Sequence, residues 1–259
     1  MEPIDSHQTF DHRTKPGSTA KPPYQRWRVF QQVNRDRRAI RDFDGSPIGD
    51  EEVEAVLREA LLAPSSSNSQ PYVIHWLRNP AMKAAVANAC HNQRAARSAS
   101  TLLVLVSGRR FALETVSLFR AYVESTPELS EKSRAYHLRQ LTTGRRFLRV
   151  ASSVFWSPLH DLLTTVFPSL TLLPLGPKPV RNWFARSTLF AAQTILLAAS
   201  ARGLDTCPME GFDPRKLSRI LGLKRGDVIA LVVALGRRRP DALIEPRWRR
   251  SFEVAVKIH

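Results

Sequence analysis

The sequence predicts an α+β domain in which helices cover both faces of one sheet. Three observations carry this. Short runs rich in branched apolar residues recur between polar or glycine-containing bounds, segments with helical spacing lie between them, and no internal repeat divides the chain. With 259 residues and an apolar share of 43%, the chain can bury one substantial core, so one domain spanning 26–259 with an N-terminal extension is expected.

Residues 1–25 are polar and basic and are expected to be a disordered tail. Arg28 to Phe43 spaces Phe30, Val33 and Ile40 among charges, which predicts a short amphipathic helix running into an Arg-rich turn, ended by Asp44-Gly45-Ser46-Pro47. From Asp50, the acids Glu51 and Glu52 precede Val53, Val56, Leu57, Ala60 and Leu61, a helix whose first turn carries the favoured negative charge and which stops at Pro64. Tyr72–Leu77, Leu102–Ser107 and Val228–Leu235 read as strands, the last two buried on both faces. Met82–Asn92 and Ser187–Arg202 read as helices, the second apolar nearly all round and closed by Gly203. Phe252, Val254, Val256 and Ile258 alternate with polar residues and predict a terminal strand.

Lys and Arg outnumber Asp and Glu by 39 to 23, giving a formal charge of +16. Such a chain attracts anions. It carries no zinc-finger spacing, aromatic RNA-binding strand motif or basic zipper, which disfavours nucleic-acid binding as the main role. Cys90 and Cys207 are too few for a disulfide framework, and a reducing, cytoplasmic setting is expected. No signal peptide is read at the N-terminus. The stretch from Val150 to Pro177 is strongly apolar, but Asp161 interrupts it and Pro158, Pro168, Pro174 and Pro177 break a spanning helix. Buried helices or a lid are the expectation there; peripheral membrane contact is a minority reading.

Four clusters carry chemistry. Arg37-Arg38-Ala39-Ile40-Arg41-Asp42-Phe43 alternates guanidinium groups with anchoring residues; a guanidinium fork suits phosphate, yet taken alone such a segment is more often an exposed helix end. Pro64-Ser65-Ser66-Ser67-Asn68-Ser69-Gln70-Pro71-Tyr72 offers hydroxyl and amide groups without charge, and is also an ordinary turn composition. Gly203 to Asp213 brackets Glu210 between Pro208 and Gly211, a shaped loop in which Glu210 is either a base or a carboxylate that fixes the loop. Glu245-Pro246-Arg247-Trp248-Arg249-Arg250 is a late basic patch. No Gly-x-Gly-x-x-Gly turn and no Gly-x-Ser-x-Gly elbow is present, which disfavours a flavin-free nucleotide-binding dehydrogenase and a hydrolase.

Taken in order, these segments resemble the nitroreductase family of flavoproteins, over about Arg35 to Gly108 and Phe190 to Arg250. The resemblance implies a three-layer α/β/α sandwich with a mixed, mainly antiparallel sheet, working as a homodimer with FMN at the interface. Arg37, Arg38, Arg247 and Arg249 are then expected at the phosphate. Ala39 lies beside them at a position where family members often carry a hydroxyl. Arg41 and Asn92 are expected at the pyrimidine edge, Pro208, Glu210 and Gly211 along the ring's N5 side, and Pro64, Ser65, Ser66 and Asn68 from the partner subunit. The implied activity is ping-pong transfer of a hydride from NAD(P)H through the flavin to a small acceptor such as a nitroaromatic or quinone. No side chain is expected to act as acid or base, because the cofactor does the hydride chemistry. A lysine frequent in the family is replaced by Ala95, with Arg94 or Arg97 as candidates to compensate. Phe111 to Ala185 matches no motif and is expected to be a helical excursion or lid over the substrate pocket; core packing is favoured over pocket lining for Phe155, Trp156, Phe167 and Trp183. The alternative is a protein with a degenerate flavin site that binds a polyanion through its basic surface.

Overall fold

The computed structural model describes residues 23–151 and 177–259, together with Leu162 and Thr165. It divides into two units, 1–36 and 37–259. In the first, helix α1 spans Pro23–Asp36, with Trp27 stacked on Phe30 at 5.8 Å between ring centroids. The predicted disordered tail lies outside the described residues up to position 22; Tyr24 and Gln25 are helical.

The second unit is built on a four-stranded sheet, β1 (Tyr72–Trp76), β2 (Thr101–Ser107), β3 (Asp205–Met209) and β4 (Val228–Gly236), in the spatial order β1-β2-β4-β3 with every neighbouring pair antiparallel. Around it lie α2 (Asp50–Ala60), α3 (Pro80–Ala89), α4 (Arg94–Ser98), α5 (Arg109–Ser125), α6 (Glu131–Val150), α7 (Pro177–Ala201), α8 (Pro214–Ile220) and α9 (Phe252–Ala255). Side chains alternate along each strand. Leu102, Val104 and Val106 therefore meet α3, α4 and α8 on one face, while Leu103 and Leu105 meet α2 and α7 on the other. That is the expected three-layer α/β/α sandwich. A bulge between Leu105 and Val106 adjusts the β2–β4 register, so that Leu105 faces Leu231 and Val106 faces Ile229.

The unassigned middle of the chain is helical where described. Helices α5 and α6 form an antiparallel pair that packs, through Val116, Leu141 and Leu148, against Val180 and Phe184 at the start of α7. Trp183 packs there too, edge-on to Phe147, as core rather than pocket lining. Phe155, Trp156, Phe167 and most of the apolar stretch from Val150 to Pro177 lie outside the described residues.

Three expectations are corrected. The short helix expected within Arg28–Phe43 is present and ends at Asp36, but the Arg-rich turn expected after it is extended because it joins the sheet: Ala39 bridges Thr206 in parallel, with Ile40 N donating to Thr206 O at 3.0 Å, and Phe43 bridges Arg238. The loop read over Gly203–Asp213 begins as strand β3. The terminal strand predicted over Phe252–Ile258 is instead the single turn α9, Val256 N donating to Phe252 O at 2.8 Å, with Phe252, Val254, Val256 and Ile258 all exposed. No strand lies beside this segment among the described residues to take up its ladder bonds, so the backbone bonds locally.

Candidate active site

Bringing Arg37–Phe43 beside β3 gathers most of the expected site at one sheet edge. The bridge of Ala39 to Thr206 lays the segment against β3, and the positive charge of Arg41 reaches the buried Cys207. The C-terminal segment returns to the same place. Arg247 Nη2 donates to Arg37 O at 2.6 Å, and Arg38 Nη2 donates to Glu245 O. Arg37 is half-buried, and its pKa is lowered first by that burial and then by the positive charges of Arg247, Arg249 and Arg38. Four guanidinium groups from positions about 210 residues apart thus converge, an arrangement whose mutual repulsion an oxyanion among them would relieve.

The turn that ends α3 completes this edge. Helix α3 starts on Asn79, whose Oδ1 accepts from Met82 N at 3.0 Å, and stops three residues earlier than expected because His91 and Asn92 take left-handed backbone angles, φ +57° and +51°. Asn92 is therefore presented on an exposed turn. The next residue, Gln93, ties that turn to the loop after β3: its Nε2 donates to Cys90 O at 3.0 Å and to Gly211 O at 2.6 Å. A Cβ on Gly211 would stand 3.2 Å from that same nitrogen. Asp213 N donates to Ala89 O at 2.8 Å, and the Asp213 carboxylate caps α8, so Pro208, Glu210 and Gly211 are held against Asn92 from both ends. Glu210 and Gly211 are exposed. Sequence reasoning missed Gln93; its position three residues after Cys90 and beside Asn92 was the available signal. Arg94 Nη2 pairs with Asp42 Oδ2 at 2.5 Å, next to Arg41, while Ala95 is buried in the core and Arg97 lines a cavity between α3 and α4.

The loop of Pro64, Ser65, Ser66 and Asn68 is elsewhere. It leads into β1, the opposite edge strand. Across β1-β2-β4-β3 the edges are three strand spacings apart, roughly 14 Å at about 4.8 Å each. Along the strands, Tyr72 aligns through Ser107 with Val228, whereas Pro208 aligns with Val233, five residues further along β4. One chain does not bring the two groups together. The loop is nevertheless built for something: Ser67, Asn68 and Gln70 all have positive φ, which for non-glycine residues costs about 1–3 kcal/mol each. Internal bonds hold it, Ser65 Oγ accepting from Gln70 N at 2.9 Å and Asn68 Oδ1 from Gln70 Nε2 at 3.0 Å. Ser69 Oγ and Tyr72 Oη are buried without a hydrogen-bond partner, an uncompensated cost in a single chain.

The model of the nitroreductase family matches residues 35–237. This chain belongs to the nitroreductase family. Among its relatives, the protein named NADH dehydrogenase from Thermus thermophilus is 26% identical over 200 residues, 77% of this chain and 82% of that one. An oxygen-insensitive NADPH nitroreductase from Helicobacter pylori (strain J99) is 25% identical over 218 residues, 82% of this chain and 89% of that one. The fold matches the crystal structure of a nitroreductase in complex with FMN from Exiguobacterium sibiricum with a TM-score of 0.67 and 21% identity, covering 89% of this chain and 97% of that one. Membership makes the chain an oxidoreductase of the nitroreductase type. Among the described residues no helix is long and apolar enough to cross a membrane.

Proposed function

We propose that two copies of this chain hold FMN between them and carry electrons from NADH or NADPH to a small acceptor such as a nitroaromatic or a quinone. The convergence of Arg37, Arg38, Arg247 and Arg249 is the observation that carries this reading. Two features suit the cofactor. The guanidinium cluster matches a dianionic phosphate, and the buried and unpartnered Ser69 Oγ belongs to the loop expected to meet the ring and its sugar chain.

Bound FMN supplies the redox chemistry, accepting a hydride from the nicotinamide and returning it to the acceptor in a second half-reaction. Arg37, Arg38, Arg247 and Arg249 bind the phosphate and fix the ring's depth, with Ala39 alongside. Arg41 places a lasting positive charge at the pyrimidine edge, which favours the electron-rich reduced state, and Asn92 bonds the same edge. Both substitutes for the lysine that Ala95 replaces lie near this edge, Arg94 pairing with Asp42 beside Arg41 and Arg97 lining a cavity together with Asn92. Pro208, Glu210 and Gly211 line the other edge, the backbone N–H groups of this loop serving as donors. Gln93 holds that loop and Asn92 in one arrangement.

The edge-to-edge separation supports a share for the partner. Pro64, Ser65, Ser66 and Asn68 cannot join Arg41 and Gly211 within one chain, so a second copy brings its loop to the first copy's arginine edge. No side chain is assigned proton transfer. The buried, unpaired Cys90 and Cys207 suit a reducing, cytoplasmic setting. The test is the visible spectrum of the purified protein with and without added FMN, followed by anaerobic reduction with each nicotinamide and an acceptor screen. A colourless protein that takes up no FMN would sink the proposal.

A further inference from the structure

Helix α6 carries a solvent-facing stripe that the flavin chemistry leaves unused. Lys132, Tyr136, Arg139, Thr143, Arg146 and Val150 follow one another at intervals of 4, 3, 4, 3 and 4 residues, and all six are exposed. That spacing sets them on one face of a helix. The stripe holds three cations and no acid, Glu131 at the first turn being the helix's single carboxylate. Among the described residues no ion pair engages Lys132, Arg139 or Arg146. From Lys132 to Val150 it runs about 27 Å at 1.5 Å per residue.

The apolar members of this face continue onto α5. Tyr136 meets His137 edge-on at 5.4 Å, His137 meets Phe119 at 5.5 Å, and Phe119 stacks on Tyr122 at 6.1 Å. Tyr136 is 60% exposed, and Leu118, one turn before Tyr122, is 67% exposed. An aromatic run with an open aliphatic neighbour thus crosses from one helix to the next beside the cationic stripe.

We propose that this face of the α5–α6 pair docks on the surface of an anionic phospholipid bilayer. The charge matches phosphate-bearing headgroups, and each Lys or Arg near such a surface contributes to binding. Tyr122 and Tyr136 have the amphipathic form that settles at the level of headgroups. Leu118 and Val150 decide between a bilayer and a nucleic acid, since exposed aliphatic side chains gain nothing from a phosphodiester backbone but are buried at the headgroup–acyl boundary.

The test is co-sedimentation of the full-length protein with phosphatidylcholine vesicles containing or lacking phosphatidylserine. Wild type is expected to partition onto the anionic vesicles alone. Joint Arg139→Gln and Arg146→Gln substitution weakens that partition on the order of 30-fold, while Arg219→Gln with Arg225→Gln, removing the same charge from around α8, changes it less than threefold. Tyr136→Ser with Leu118→Ser weakens it several-fold at low and high salt alike, whereas screening shrinks the effect of the arginine pair. Circular dichroism confirms that each variant is folded. Absence of partition, equal loss from the two charge pairs, or tight poly(U) binding that is insensitive to Tyr136 and Leu118 overturns the proposal.

Discussion

Replacing Arg37 by alanine separates phosphate binding from structural support. A charge-assisted hydrogen bond to phosphate is worth about 1.5–3 kcal/mol. Arg38, Arg247 and Arg249 remain, and Arg37 is only half-buried, so the lower end applies and FMN affinity should fall roughly 10- to 30-fold. Stability of the apoprotein should move the other way or not at all. Arg37 stands desolvated among three like charges, and the bond from Arg247 goes to its main-chain carbonyl, which alanine retains. Apoprotein titrated with FMN by fluorescence quenching, with a thermal melt of the same sample, measures both. Because exposed charges are screened, the gap between wild type and variant should narrow as salt rises. Unchanged FMN affinity, or a loss seen only together with a lower apoprotein melting temperature, would refute the assignment.

Other consequences are independent of that cluster. Gly236→Ala would bring a Cβ to 2.7 Å from Phe43 Cδ1, a ring only 2% exposed, and should lower stability by about 1–3 kcal/mol in a urea titration; a neutral result would mean that the Arg37–Phe43 segment is looser than its bridges indicate. Gln93→Ala removes the bonds to Cys90 and Gly211, and should loosen FMN by about tenfold with little change in melting temperature, whereas a global loss of stability would reassign Gln93 to folding. Burial pushes the Cys90 thiol up from 9.0 to about 11. Its raised value means that the unfolded chain ionises first, so its contribution to stability is intact below pH 9 and lost as pH rises from 9 towards 11. A Cys90→Ala protein should show a flatter melting curve against pH across that window; an equally steep one would contradict the burial argument.

The strands that form the middle of the sheet were plain in the sequence because β2 and β4 are covered on both faces and so read as continuous branched apolar runs. Strand β3 was hidden by Pro208. Proline is tolerated there because the strand lies at the edge, beyond its bridge to Ala39, where no backbone donor is called for. The Arg37–Phe43 segment was legible as the stretch after a helix but not as extended backbone, which only the pairing of Ala39 with Thr206, a contact across the chain, brings about. The alternation in Phe252–Ile258 is a strand pattern without a neighbouring strand among the described residues, which periodicity cannot reveal. Candidate site residues were legible where the proposed chemistry is compositional, as in the arginines and the Ser-rich loop. Gln93 was not, since its role depends on reaching Gly211 O across 118 residues.

The most direct test mixes two crippled chains, one carrying Ser66→Trp and the other Gly211→Trp, and counts flavin on the purified mixed pair. Because each pocket is to be made from the loop of one copy and the β3 edge of the other, both lesions should fall in a single pocket, leaving one FMN per mixed pair and none on either variant alone. Flavin-free mixed pairs from folded chains would show that each copy builds its own pocket, and the account would fail.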